Sequence, residues 1–264
     1  MTTAVAIAVV LLVLVATNLW VQMAPTVVHL VTGPVAALLL LLVARMAGLS
    51  WQELGLARQT LLVGIQVAAL AAASVAIVYA VAVVIPFTRG AFRDTRYRLG
   101  LRAALFTALV AIPLGTVIFE EVAFRSVLWG LLVRAFGVSA ATALSACLFG
   151  LWHVLPAMGL AQTHTSVRAH PSAGRRRVTT TVLATIAFTT IAGVVFAELR
   201  RRSGSLVAPV GLHWATNGLG VLAAARVWAT SPGNAASRVA SPQIEPVAQP
   251  GWQRIVKRLR AGRP

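Results

Sequence analysis

The chain has 264 residues, of which 58% are hydrophobic and 11% are charged, and its mean hydropathy is +0.83. A soluble domain carries about 25% charged residues, so this composition excludes an ordinary soluble protein and indicates that lipid surrounds most of the chain. The formal net charge of +17 is carried between apolar runs and near the C-terminus, as expected for arginines that face anionic lipid headgroups. No nucleic-acid binding motif occurs, and we predict no nucleic-acid partner.

Apolar runs of about the ~20 residues needed to cross a bilayer recur along the chain. They predict an all-α polytopic transmembrane bundle of about seven to eight helices, at residues 4–21, 27–47, 61–87, 101–121, 138–156, 181–199 and 206–228. A shorter apolar piece, 126–136, fits a re-entrant arm, an interfacial helix or a continuation of the preceding helix. Basic segments fall on both sides of an alternating count, so the sequence leaves the membrane orientation open.

The segments between the apolar runs are too short to hold a second folded domain. We therefore predict one membrane bundle over residues 1–230 and a flexible basic tail over 231–264, where Ser, Pro, Gly, Asn and Gln become frequent. The single cysteine, Cys147, excludes an intrachain disulfide, and its apolar surroundings predict a small buried packing residue. We expect a multi-pass integral membrane protein of the plasma membrane.

Two of the six acidic residues, Glu120 and Glu121, are adjacent at the end of an apolar run. A charged side chain at mid-bilayer costs about 2.5 to 3.5 kcal/mol on insertion scales, so such residues normally face the bundle interior and have a partner. Arg125 lies four residues after Glu121 and can pair with it on one helix face. Glu120 is rotated by about 100° from Glu121, which leaves it available as a general base. Alternatively, both glutamates and Arg125 form one structural ion-pair network.

Two further strings carry polar side chains in apolar segments. Phe149 and His153 are four residues apart in FGLWH, and His213 and Asn217 have the same spacing in HWATN, so each pair shares a helix face. Buried polar groups need mutual hydrogen bonding, which predicts that these helices meet around a common wet cavity. A cavity that holds a base, a water and amide donors can hydrolyse an acyl bond.

In order and spacing, these strings resemble those of the intramembrane glutamic endopeptidases of the CAAX-processing and bacteriocin-processing (CPBP, or Abi) family. That family is marked by a double glutamate followed by an arginine, then a Phe-x-x-x-His string and a His-x-x-x-Asn string on successive helices. The resemblance covers about residues 119–218. The matching residues are Glu120, Glu121, Arg125, Phe149, His153, His213 and Asn217.

The resemblance implies a metal-independent peptide hydrolysis without a cofactor. Glu120 and His153 would activate a water for attack on the scissile carbonyl, and His213 and Asn217 would hold the developing oxyanion. Arg125 would fix the neighbouring carboxylate, with Phe149 of the second string in support. The implied substrate is a hydrophobic, prenylated or membrane-associated peptide.

Two other classes of protein fit the same residues. A zinc metalloprotease could use Glu120, His153 and His213 as a dispersed ligand set, although no His-Glu-x-x-His string occurs. A transporter or non-catalytic scaffold could use the polar side chains as a proton or ion path. Sensitivity to chelators separates the first from a metal-independent protease, and cleavage lost in Glu120→Ala separates the second.

Overall fold

A computed structural model describes residues 1–163 and 174–231, and this part of the chain is helical and contains no strand. The predicted tail, 231–264, lies outside the described residues except for its first residue. In chain order the α-helices are α1 (Thr3–Met23), α2 (Thr26–Met46), α3 (Leu61–Val84), α4 (Leu101–Phe106), α5 (Ile118–Glu121), α6 (Trp129–Trp152), α7 (Val154–Thr163), α8 (Gly174–Ser203), α9 (Val207–Trp214) and α10 (Gly220–Ala229).

The helix continues from α4 to α6, but its turns widen to the π form in three places. These are Thr107–Ala111, Pro113–Val117 and Val122–Leu128, so that α5 lies between two widened segments. The apolar piece 126–136 is therefore a continuation of the preceding helix. Residues 119–132 are buried without interruption. A helix that is covered on all sides lies in the core, so this part is the central helix of the bundle.

The chain turns back at Gly137, inside α6. Its φ of +79° lies in the left-handed region that glycine adopts without strain. Five helical stretches of the described chain are long and apolar enough to cross a membrane, namely Thr3–Met23, Val27–Met46, Arg58–Val84, Leu101–Met158 and Val178–Ser203. Because of the turn at Gly137, Leu101–Met158 contains two passes through the bundle.

Hydrogen bonds between distant residues define the two ends of the bundle. One end contains the loop of residues 47–57, and we call it the loop end. There the side chains of Arg134 and Arg200 donate hydrogen bonds to backbone carbonyls of the loop. At the opposite end, the Trp228 indole donates to the backbone carbonyl of Asp94. The long apolar helices of the described chain run between these ends, in agreement with the polytopic helical bundle that the sequence predicts.

Small residues allow α6 and α8 to pack closely. A Cβ atom on Gly193 of α8 would lie 3.0 Å from Cα of Ala146 on α6, and one on Gly150 would collide with the Thr190 side chain. Ala146 and Gly150 are four residues apart, which is the spacing of small residues at membrane helix interfaces. Cys147 lies beside this seam and is exposed. The prediction that Cys147 is buried was wrong, because α8 packs on Ala146 and Gly150 and leaves the adjacent Cys147 side chain uncovered.

Candidate active site

Both glutamates of the double-glutamate string lie inside the bundle. Glu120 and Glu121 end α5, and the widened segment Val122–Leu128 follows at once. The exposed fractions are 5% for Glu120, 0% for Glu121, 1% for Arg125 and 4% for His213. Charged side chains this deep need partners, since desolvation of an unpaired charge costs several kcal/mol. The partners of each carboxylate therefore define the site.

Glu121 is bonded to two cationic or potentially cationic groups. Its Oε1 accepts a hydrogen bond from Nη1 of Arg125 at 3.0 Å, the ion pair that the four-residue spacing predicts. The same oxygen lies 2.8 Å from Nδ1 of His213. Because a carboxylate can only accept, His213 donates through Nδ1–H. This pair of bonds ties the central helix to α9.

Aromatic rings enclose the Arg125 guanidinium. Its Cζ lies 3.8 Å from the ring centroid of Phe149 and 4.8 Å from that of Phe196. Phe196, on α8, also stacks on the His213 imidazole at 5.1 Å with 23° between the planes. A cation over ring faces is stabilised by their quadrupoles, more so in a desolvated site. The phenylalanine of the Phe-x-x-x-His string thus contacts the arginine of the glutamate string.

Glu120 has a different environment from its neighbour. Its Oε1 accepts a hydrogen bond from the Trp152 indole Nε1–H at 2.9 Å. Its Oε2 is buried, has no hydrogen-bond partner among the described residues, and lies 3.9 Å from Nε2 of His213. The imidazole of His213 therefore lies between the two carboxylates. One water could hydrogen-bond both Oε2 of Glu120 and Nε2 of His213.

His153 lies where α6 ends. It has a φ of −86° and a ψ of 2°, and α7 begins at the next residue. Its Nδ1 is 2.7 Å from the carbonyl oxygen of Phe149, and its ring is 4.6 Å from the Phe149 ring. Since a carbonyl only accepts, Nδ1 carries the proton. In the neutral imidazole, Nε2 then has a lone pair available to a water.

Asn217 differs from the other predicted site residues. It lies in a fourth widened segment, Ala215–Leu219, is exposed, and makes no side-chain hydrogen bond to a described residue. The sequence predicted that Asn217 shares a face with His213. In the structure His213 is buried, whereas Asn217 is exposed. The structure thus brings together Glu120, Glu121, Arg125, Phe149 and His213, with His153 against Phe149.

Sequence reasoning missed Trp152 and Phe196. Trp152 directly precedes His153, and a polar indole N–H in an apolar run needs an acceptor, which is a signal that the sequence contained. Phe196 is one of nine phenylalanines in the chain, and nothing in its local sequence distinguishes it. It reaches the site only because α8 packs closely on α6.

Three buried polar atoms of the site have no hydrogen-bond partner among the described residues. Oε2 of both glutamates and Nη2 of Arg125 are buried without a hydrogen-bond partner in the described chain. Such atoms are suited to bind water or a polar group of a substrate. Within residues 1–163 and 174–231, no group of three His, Cys, Asp or Glu side chains is arranged to hold a metal ion. The dispersed ligand set of Glu120, His153 and His213 is therefore not assembled there.

The apolar helices and the helical bundle define an integral multi-pass membrane protein. Residues 102–219, which contain all seven predicted site residues, match the family model described as Rce1-like, type II CAAX prenyl endopeptidase. Over this stretch the chain is similar to the CAAX protease (CPBP) family, a family of membrane proteases, and the resemblance to that family is confirmed. No curated protein and no solved structure matched the chain.

Proposed function

We propose that this protein is a metal-independent intramembrane endopeptidase that hydrolyses a peptide bond in a prenylated or otherwise membrane-associated peptide. The observation that carries the proposal is the difference between two adjacent buried carboxylates. Oε1 of Glu121 is bonded to Arg125 and His213, whereas Oε1 of Glu120 is held only by the neutral Trp152 indole N–H. Oε2 is unpaired in both residues, so the two carboxylates differ in that Glu121 is ion-paired with an arginine and Glu120 is not. A carboxylate that is oriented but not committed to an arginine is suited to act as a general base.

In the proposed reaction, Glu120 Oε2 takes a proton from a water molecule as the water oxygen attacks the scissile carbonyl carbon. His153 orients the same water through Nε2, which its Nδ1–H bond to Phe149 leaves available. The tetrahedral intermediate then collapses. The carbon–nitrogen bond breaks, and the proton held by Glu120 passes to the leaving amine nitrogen.

The position of His213 supports its proposed role as an oxyanion donor. Its ring is buried between the two carboxylates, and its Nδ1–H is bonded to Glu121. Nε2 lies 3.9 Å from Oε2 of Glu120 and is the ring atom that we propose faces the oxyanion. The Asn217 amide is the second proposed donor, one that substrate would meet from the exposed side.

We further propose that the protein acts in the plasma membrane and binds anionic lipid headgroups. Exposed arginines occur at both ends of the bundle, for example Arg58 and Arg202 near the loop end and Arg102 and Arg226 at the other. Each Lys or Arg near an anionic membrane surface contributes about 1 kcal/mol. The predicted tail, 231–264, would add to this charge.

The test is cleavage of a fluorescence-quenched farnesylated CAAX peptide by the purified protein in lipid nanodiscs. Glu120→Gln keeps the shape of the side chain and removes the base, so turnover should fall at least about 100-fold. Glu198→Gln is the matched control, because Glu198 pairs with Arg201 and Arg202 on the surface of α8. It should cleave at the wild-type rate.

Three results would contradict the proposal. Glu120→Gln that retains turnover within ten-fold of wild type would remove Glu120 as the base. Loss of wild-type turnover on chelation, restored by zinc, would favour a metalloprotease. Absence of cleavage by folded wild-type protein, with ion flux that Glu120→Gln abolishes in proteoliposomes, would favour a transporter.

A further inference from the structure

Asn18 is a polar residue in the first transmembrane helix, outside the segment that matches the protease family. Its Nδ2 donates a hydrogen bond of 3.0 Å to the backbone carbonyl of Trp152. Its Oδ1 is buried and has no partner in the described chain. A polar amide in an apolar span is costly, so its placement needs a reason. The Trp152 carbonyl is its one hydrogen-bond partner among the described residues.

The Trp152 carbonyl lacks the usual helical donor. In a continuous helix this carbonyl would accept from the backbone N–H four residues later, but that residue is Pro156, which has none. The helix α6 also ends at Trp152. A carbonyl left unpaired at membrane depth is expensive. Asn18 supplies, from another helix, the N–H that Pro156 cannot.

Trp152 connects this carbonyl to the candidate active site. Its indole N–H donates to Glu120, its ring packs 5.7 Å from that of Phe119, and the next residue is His153. The backbone position of Trp152 therefore sets both the indole donor to the proposed base and the start of the turn that carries His153.

We propose that Asn18 is a positioning residue of the active site, which holds the Trp152–His153 helix break so that the Trp152 indole orients the Glu120 carboxylate. This inference rests on the proposed function only for its effect on turnover. Its structural part, the coupling of Asn18 to the Trp152 indole, stands without it. Asn18→Leu removes the donor and keeps the branched shape of the side chain. Thr17→Val is the matched control, because Thr17 is a buried neighbour in the same helix.

The first experiment measures the indole N–H resonance of Trp152 in protein labelled with 15N-tryptophan in nanodiscs. The chain has seven tryptophans, and the resonance lost in Trp152→Phe identifies the signal. Asn18→Leu should move the Trp152 resonance in the same direction as Glu120→Gln does, because both weaken the indole–carboxylate bond. Thr17→Val should leave it in place. A Trp152 resonance that Asn18→Leu does not move overturns the proposal.

The second experiment measures turnover. Asn18→Leu should lower kcat about three- to ten-fold, as expected for loss of one hydrogen bond, with KM unchanged. In the Trp152→Phe background the same substitution should lower kcat by a smaller factor than in wild type, since the indole is gone and only the effect on the His153 turn remains. Additive losses in the double variant overturn the proposal. If Asn18→Leu does not fold, Asn18→Ser, which keeps a small polar side chain too short to reach the carbonyl, takes its place in both experiments.

The two experiments separate the two proposals. A shifted Trp152 resonance in a protein whose wild type cleaves no peptide supports the coupling and contradicts the proposed function. Normal cleavage with an unshifted resonance contradicts the coupling alone.

Discussion

Two neighbouring glutamates in this protein have different partners because the helix turns by about 100° between them. Glu121 faces Arg125 and His213, and Glu120 faces the Trp152 indole. The ionic partner of Glu121 is Arg125, four residues later in the same helix. The partner of Glu120 comes from the following pass of the chain. The same residue type is thus ion-paired in one position and held by a neutral indole in the other, where we propose that it transfers the proton.

Arg125 should be the most costly residue of the site to remove. It is enclosed by Phe149 and Phe196 and bonded to Glu121, so Arg125→Ala leaves a buried carboxylate without its countercharge. The expected loss of folding stability is about 3–5 kcal/mol. We expect lower folded yield and earlier thermal unfolding in detergent.

Arg201→Ala provides the matched control for this substitution. Arg201 also pairs with a glutamate, Glu198, but on the surface of α8, where its side chain is 45% exposed. Exposed pairs contribute little because water and salt screen them. Equal unfolding temperatures for the two variants would show that Arg125 is not a structural partner of Glu121.

The sequence indicated the ionic part of the site and Phe149, but not Trp152 or Phe196. The Glu121–Arg125 pair follows from spacing on one helix, and the placement of His213 beside it was expected from the need of buried polar groups for partners. Phe196 and Asn18 belong to helices that meet the site only after folding. Their local sequences are like those of any apolar span, so no periodicity could single them out.

At the scale of helices, the widened π segments expose backbone carbonyls that neighbouring helices use. Trp214 donates its indole N–H to the Ala108 carbonyl, Ser145 donates its hydroxyl to that of Phe124, and Tyr79 donates to that of Thr216. Each acceptor lies in a different widened segment. A π turn disturbs the regular backbone ladder, and in lipid every freed carbonyl needs a new donor. These side chains therefore stabilise the irregular helices that flank the site.

Tyr79→Phe tests this role with a single hydroxyl. The Tyr79 hydroxyl donates to the Thr216 carbonyl at 3.0 Å, next to Asn217. Its removal should lower folding stability by about 1 kcal/mol and speed amide hydrogen exchange in Ala215–Leu219. The only other tyrosine, Tyr97, makes no hydroxyl bond to a described residue and instead lies against Arg96. Tyr97→Phe should leave exchange in that segment unchanged, and equal exchange in both variants contradicts the role.

Hydropathy predicted the positions of the transmembrane helices better than the irregular turns inside them. The apolar runs gave the passes through the bundle, because burial of apolar surface in lipid depends on composition alone. The widened turns and the reversal at Gly137 depend on which side chains of other helices reach the backbone. The length of the apolar piece 126–136 was compatible with three structures: a re-entrant arm, an interfacial helix or a continuation of the preceding helix. The continuous burial of residues 119–132 shows that it continues the preceding helix in the core.

At the scale of the whole molecule, polar contacts at the loop end connect the loop of residues 47–57 to the helices that carry Arg134 and Arg200. Glu53 of the loop end accepts from the Ser50 backbone N–H and pairs with Arg134 at 2.7 Å, while Arg200 donates to carbonyls of the same loop. The Ser50 N–H, followed by Arg134, lowers the pKa of Glu53 from 4.5 to about 2. The ionised form is therefore the one that the folded protein favours.

The lowered pKa fixes the sign of a pH effect on stability. Glu53 stabilises the fold at pH values above its ordinary pKa, and this contribution is lost as the pH falls from about 4.5 to about 2. Thermal unfolding of wild type and Glu53→Gln in detergent should therefore differ at pH 7 and converge at pH 2. In the Arg134→Gln background the pKa should rise and the difference should vanish at a higher pH. A gap that grows on acidification would contradict this account.

Arg134 marks the loop end of the central helix, and Glu121 lies about 20 Å before it at 1.5 Å per residue. An extended peptide advances about 3.3–3.6 Å per residue, so roughly six residues are needed to cover that length. A chain entering from the loop end can present its scissile bond only if about that many residues beyond its last folded element are unstructured. If the proposed endopeptidase admits its substrate from this end, the length of the unstructured tail would select among substrates independently of their side chains.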